Sequence, residues 1–266
     1  MHAGTYGVVN YAAGPELSVE GIVGRAGLGF SNVSKVSGQV LRSVSDWSCG
    51  CKVERSIYNC MLGLIEKAEH CIYIENQYFC AGFQEGEEGE EAGEEGNEAG
   101  EQWKGGGGRE NMIVNGIGLA LINRISKAVE RGEIFRVVVV MPHLAFENNP
   151  VQSTILGFQN KVIREIEAKL KARHAEVLDW KEYISFYNLR NHGKLNNPGT
   201  KVGSVMEEIY LHDKLMIVDD RAVLIGSANV NDRSLLGTRD SEIAVVLYGE
   251  DMVDSRMAGK EWRASK

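Results

Sequence analysis

An α/β sandwich, a mostly parallel sheet with helices on both faces, is the fold class this sequence predicts. Two observations carry it. Short β-rich runs alternate with amphipathic helical stretches along most of the chain. At 266 residues and 43% hydrophobic, the chain is long and apolar enough to bury one large core or two small ones.

Taken in order, residues 1–37 are rich in Gly, Ser and Val without a sustained period and read as a loosely structured lead-in. From residue 54, "ERSIYNCMLGLIEKAEH" places Ile57, Met61, Leu64, Ile65 and Ala68 at helical spacing, and "CIYIENQYF" follows as a strand. Residues 81–110 hold ten glutamates and many glycines with almost nothing to bury, so they read as a disordered insert. A second helix, about 111–131, leads to the strand "FRVVVVMP". A third, about 151–174, carries Val151, Ile155, Phe158, Val162, Ile166 and Leu170 and leads through "DWKEYISFYNLR" to the last third. There "LMIVDDRAVLIG" predicts a hairpin, with the polar Asp219-Asp220-Arg221 between two β-rich runs.

The formal net charge of −8 argues at first against nucleic acid or an anionic surface, but the excess is local. The insert's ten glutamates against one Lys and one Arg account for all eight negative charges, and the remaining 27 acidic and 27 basic residues balance. No basic stripe suggests a nucleic-acid partner. Five cysteines (Cys49, Cys51, Cys60, Cys71, Cys80) show no zinc spacing, and an odd count without a signal-like start favours reduced thiols and a cytoplasmic setting. "VVVVM" is far too short to cross a bilayer, so any membrane contact is expected to be peripheral.

The chemistry concentrates in "LHDKLMIVDDRAVLIGSANVNDRSLLGTRDSEIAV", residues 211–245. Read as a strand from Leu211, it sets His212 and Lys214 side by side on one face, about 7 Å apart. Ser227 and Asn229 then offer a hydroxyl and an amide, and Gly226 permits close backbone approach. An imidazole, an ammonium and two neutral hydrogen-bonding groups form a set suited to a phosphate. Asp240 or Glu242 is placed to fix the tautomer of the histidine. Glu75, Asn76 and Gln77 end a strand, where α/β sheets place their sites, although a capped strand end explains them equally well. Asp219-Asp220 sits where any hairpin wants turn formers. His192-Gly-Lys194 repeats the His-x-Lys spacing, but Gly199 stands where an acid is needed, and Asn196 to Gly199 mark a loop, so it reads as a decoy.

The pattern His212-x-Lys214-x4-Asp219-x6-Gly226-Ser227-x-Asn229 resembles the signature of the phospholipase D superfamily. "LRSVSDWSCG", "IYIENQYF", "RVVVVMP", "YISFYNLRNHGKL" and the tail "MAGKEW" extend the likeness, in order, to the C-terminal half of eukaryotic phosphatidylcholine-hydrolysing members, over about residues 38–263. The resemblance implies a phospholipase D-like catalytic half-domain over 38–266, one half of a two-lobed enzyme in which two such motifs meet. It implies that one histidine attacks phosphorus to form a phosphohistidine while the other serves as acid and base, the position that His212 resembles. Lys214, Ser227 and Asn229 would then bind phosphate, Asp219 would be a motif member of mainly structural role, and Glu242 would orient the histidine. No metal and no cofactor are implied. The expected partners are a phospholipid membrane surface and a missing N-terminal half or a second copy. A homodimeric phosphodiesterase or nuclease, and a non-catalytic fragment that binds lipid or a partner, are the alternatives.

Overall fold

The computed structural model describes residues 34–83, 113–143, 150–174, 179–195 and 203–266. The lead-in up to residue 33 and the Glu/Gly insert from residue 84 lie outside the described residues. Residues 81–83, assigned to that insert from composition, belong to the packed structure. Ala81 is fully buried and Phe83 packs against the core. At Gly82 a side chain would meet the carbonyl oxygens of Asn115 and Ile113 at 2.1 and 2.6 Å.

Strand β1 (Val36–Val44) and a short helix α1 (Asp46–Cys49) lead to β2 (Glu54–Arg55) and helix α2 (Ser56–Lys67). Then come β3 (Cys71–Asn76), α3 (Ile117–Glu130), β4 (Arg136–Val140), α4 (Pro150–His174), a 3-10 turn at Trp180–Glu182 and β5 (Ile184–Tyr187). The chain continues through β6 (Arg190–Leu195), β7 (Gly203–Glu208), β8 (Lys214–Val218), β9 (Ala222–Gly226), α5 (Asp232–Leu235), β10 (Glu242–Gly249), β11 (Met252–Met257) and β12 (Lys260–Ser265). The periodic residues explain the helices: Ile57, Met61, Leu64 and Ile65 of α2, Leu121 and Ile125 of α3, and Val162, Ile166 and Leu170 of α4 all enter one core. Pro150 opens α4 where its missing N–H costs nothing.

Eight strands form one sheet in the order β2-β1-β10-β9-β8-β3-β4-β5. The α/β class holds, but the sheet is mixed rather than mostly parallel. Only β3–β4 and β4–β5 run parallel; the other five pairings are antiparallel. α3 carries the chain from β3 to its parallel neighbour β4, and α4 from β4 to its parallel neighbour β5. β8 and β9 reverse through a tight turn and pair antiparallel, while β1–β10 and β3–β8 pair strands far apart in the chain.

Cover on both faces is also corrected. Ile72, Ile74, Val137, Val139, Met216, Leu224, Ala244 and Val246 are buried on one face, in the same core as α2, α3 and α4, which lie side by side. Their strand neighbours Tyr73, Val138, Leu215, Ile217, Val223 and Val245 point to the other face and are half-buried, and Val40, Ile225 and Ile243 there are exposed. Among the described residues no long helix covers that face. The turn between β8 and β9 is tight, with Asp219 and Asp220 both left-handed (φ 54° and 51°) and Arg221 N donating to Val218 O at 2.9 Å. Two such residues make the mirror-image turn that matches strand twist, and aspartate is among the few side chains that tolerate it.

Candidate active site

Sheet register assembles the site. Asn76, the last residue of β3, pairs with Lys214, the first of β8, and Gly226, the last of β9, pairs with Ala244 near the start of β10. The ends of four strands thus lie along one edge. A Cβ on Gly226 would meet Ile243 O at 2.4 Å and Ala244 Cβ at 2.5 Å, so the glycine serves the close approach of β10. His212 lies just before β8, not within it, and its side chain is exposed. The Lys214 ammonium turns back and donates to the His212 carbonyl oxygen, 2.6 Å away.

Each polar group has a distinct job. Lys214 Nζ also donates to Gln77 Oε1 at 2.9 Å, and Gln77 Nε2 donates to the Tyr210 hydroxyl at 2.8 Å. Gln77 N donates to Asp213 O at 3.1 Å, so Gln77 braces the segment carrying His212 from both sides. Buried Asn76 accepts from Tyr78 N at 3.2 Å and from Val230 N at 3.1 Å, and fixes the loop that holds Ser227 and Asn229. Asn229 Oδ1 is buried without a hydrogen-bond partner. Burial holds the Lys214 ammonium below the ordinary lysine range, against the opposing pull of Glu242 and Asp213. A lysine desolvated in this way repays its cost by meeting an anion.

Glu75 and Glu242 make other contacts than the sequence reading expected, and Asp219 stands in the β8–β9 turn. Glu75 pairs with Leu215, one residue off the Asn76–Lys214 register, so its side chain lies on the opposite face and accepts from the Tyr73 hydroxyl. Asp219 lies at the far end of β8, roughly 16 Å along the strand from Lys214. Its buried carboxylate accepts from the backbone N–H groups of Glu69 (2.6 Å), His70 (2.7 Å) and Cys71 (2.8 Å). It ties the β8–β9 turn to the start of β3. Glu242 accepts a hydrogen bond from Ser227 Oγ rather than from His212. Ser227 in turn accepts from Ile243 N at 3.1 Å, so the carboxylate orients the serine.

Sequence reasoning missed Tyr210 and Gln159. Tyr210 stands two residues before His212 and meets both Gln77 and Tyr78, whose own hydroxyl burial and Tyr210 push up in pKa. Gln159, buried on α4, accepts from Phe79 N at 3.1 Å and donates to Pro142 O at 3.0 Å, joining the ends of β3 and β4. A glutamine inside the stripe Ile155, Val162, Ile166 is the signal that marks it. Among the described residues no group of three or more His, Cys, Asp or Glu side chains converges as a metal site would.

The family model described as Phospholipase D matches residues 39–261. Over 238 residues the chain is 41% identical to Phospholipase D zeta 1 of Arabidopsis thaliana, covering 86% of this chain and 19% of that protein. It is 38% identical to Phospholipase D2 of Bos taurus over 238 residues (86% and 22%), and 37% identical to Phospholipase D1 of Homo sapiens over 246 residues (86% and 19%). The chain spans about a fifth of the length of these curated relatives. A family match over more than four-fifths of the sequence, on a chain whose Lys214, Ser227 and Asn229 share one sheet edge with His212, has one reading: this chain belongs to the phospholipase D family.

Proposed function

We propose that this chain is the second half of a phospholipase D-type phosphodiesterase that hydrolyses phosphatidylcholine to phosphatidic acid and choline, peripherally at a cytoplasmic membrane surface. The observation that carries this reading is the part-buried Lys214 ammonium, fixed between Gln77 and the His212 carbonyl at the strand ends that Asn76 and Gly226 share. A phosphate oxygen suits this group, because the ammonium supplies both charge and N–H donors.

In the proposed reaction a histidine from the other half attacks phosphorus, forming the N–P bond of a phosphohistidine as the P–O bond to choline breaks. His212 gives its proton to the departing choline oxygen, then takes one from the water that attacks phosphorus and releases the first histidine. Two imidazoles on opposite sides of one phosphorus are needed, and the sequence holds one complete motif.

The test combines the purified chain with the N-terminal half of a relative, supplied in trans, and measures choline release from phosphatidylcholine. The chain alone should release choline no faster than its His212→Ala variant. The reconstituted enzyme should turn over, and His212→Ala should lower that turnover by about 10²–10⁴-fold. Undiminished turnover by the reconstituted His212→Ala variant would overturn the assignment. Turnover by the chain alone that rises steeply with its concentration would replace the second half by a second copy.

A further inference from the structure

The His192-Gly-Lys194 segment, which the proposed function does not use, is part of a separate structure. β6 and β7 pair only with each other, outside the eight-stranded sheet, in the register Arg190↔Glu208, His192↔Met206, Lys194↔Ser204. Residues 190–194 and 203–207 are exposed, so the hairpin presents both faces to solvent. A lone two-stranded hairpin is marginal in water, and one kept this exposed needs a surface to rest on.

Its base is anchored at the site. β6 follows β5, which runs parallel to β3 and β4 and so ends at the same sheet edge as Asn76. β7 returns through Tyr210, bonded to Gln77, directly to His212. Glu208 at the base accepts from His143 N at 2.5 Å, and Ile209 N donates to Leu189 O at 2.9 Å.

Chemistry changes along the hairpin's length. The acids Glu207 and Glu208 stand at the base, against Asn191 and Arg190. Beyond them the described residues carry His192, Lys194, Val205 (39% exposed) and Met206 (52% exposed), and no acid. Tyr187, Leu189 and Ile209 are exposed apolar residues around the base. Exposed apolar side chains with a lysine among them, and acids held back, match a boundary where acyl chains adjoin phosphates.

We propose that the β6–β7 hairpin is a docking element for a phospholipid bilayer surface, with Lys194, Val205 and Met206 seated among the headgroups and its base at the mouth of the site. Met206 and Val205 would leave water for the acyl boundary, and Lys194 would meet lipid phosphate. The choice of a lipid surface rests on the phospholipase reading above; the binding test does not depend on turnover.

The experiment is co-sedimentation of the full chain with phosphatidylcholine vesicles containing a minor share of phosphatidylserine, compared with the Met206→Glu, Val205→Glu and Lys194→Glu variants. Each variant should lose about tenfold or more in vesicle partitioning at an unchanged melting temperature, since each places an acid among lipid phosphates. Met206→Ser, which adds no charge, should lose part of that. In the reconstituted enzyme the three acidic variants should slow vesicle hydrolysis and leave hydrolysis of a short-chain, monomeric phosphatidylcholine unchanged. Unaltered partitioning of the variants, or no partitioning of the parent chain, overturns the proposal. So does loss of association with the supplied N-terminal half while vesicle binding persists, which would make the hairpin a protein interface. Vesicle binding with the expected losses but no turnover by any assembly would count against the phospholipase reading and leave the docking element standing.

Discussion

Lys214 is governed by two opposing influences: burial lowers its pKa, and Glu242 and Asp213 raise it. The charged form is therefore disfavoured in the folded protein, and the ammonium is lost as pH rises through a value below the ordinary lysine pKa of about 10.5. Phosphate affinity should fall on that alkaline limb. Glu242→Gln removes one raising charge and should move the limb to lower pH, and Lys214→Arg should move it beyond the measurable range, because guanidinium keeps its proton. Titrating phosphate or vanadate binding against pH in the reconstituted enzyme checks both directions. Asp219 makes the contrasting case, a motif residue whose work is all in the fold. Asp219→Ala strips the acceptor from three backbone N–H groups and places alanine at a left-handed φ, so it should cost about 3 kcal/mol in urea unfolding. Asp219→Asn keeps the turn preference and one acceptor oxygen, and should cost less.

Strand ends set the site, so contacts between strands decide its shape. Gly226→Ala would drive a methyl into the backbone of β10 at Ile243 and Ala244. The expected cost is about 1–3 kcal/mol, and β10 must shift together with Glu242. A fall in melting temperature accompanied by weaker phosphate binding is the expected outcome; a variant with parental stability would mean that β9 and β10 separate freely. On α4, Gln159→Leu removes both hydrogen bonds that join the ends of β3 and β4 and leaves Phe79 N without its acceptor. About 1–3 kcal/mol should be lost by thermal or urea denaturation, despite the more apolar side chain.

Across the whole molecule, stability is anchored at the end opposite the chemistry. The β11–β12 hairpin delivers Trp262 to the β8–β9 turn, where its indole N–H donates to Asp219 O at 2.9 Å. The Arg221 guanidinium lies 3.5 Å over the ring, and His70 meets it edge-on at 4.5 Å. Trp262→Ala should cost about 3–5 kcal/mol, as expected for a buried aromatic. Below its melting temperature the variant should bind phosphate like the parent chain, because the site lies at the other end of the strands. A loss of phosphate binding larger than the loss of folded protein would show that the two ends are coupled.

The sequence alone determined the α/β class, the three long helices, the β8–β9 hairpin and the cluster of His212, Lys214, Ser227 and Asn229. Each rests on local information: helical periodicity, turn residues and short fixed spacings survive in the linear chain. Strand direction did not, because it depends on which strands the chain brings together, and β1–β10 and β3–β8 join segments far apart in sequence. Nor did the uncovered sheet face, since an apolar strand looks the same whether a helix covers it or not. Within the site, register decided what spacing leaves open. A shift of one residue put Glu75 on the face away from Lys214 and Asn76 beside it. Glu242 was legible as a carboxylate near the site. Its bond to Ser227 rather than His212 depended on where β10 docks against β9, a long-range contact set only when the sheet is assembled.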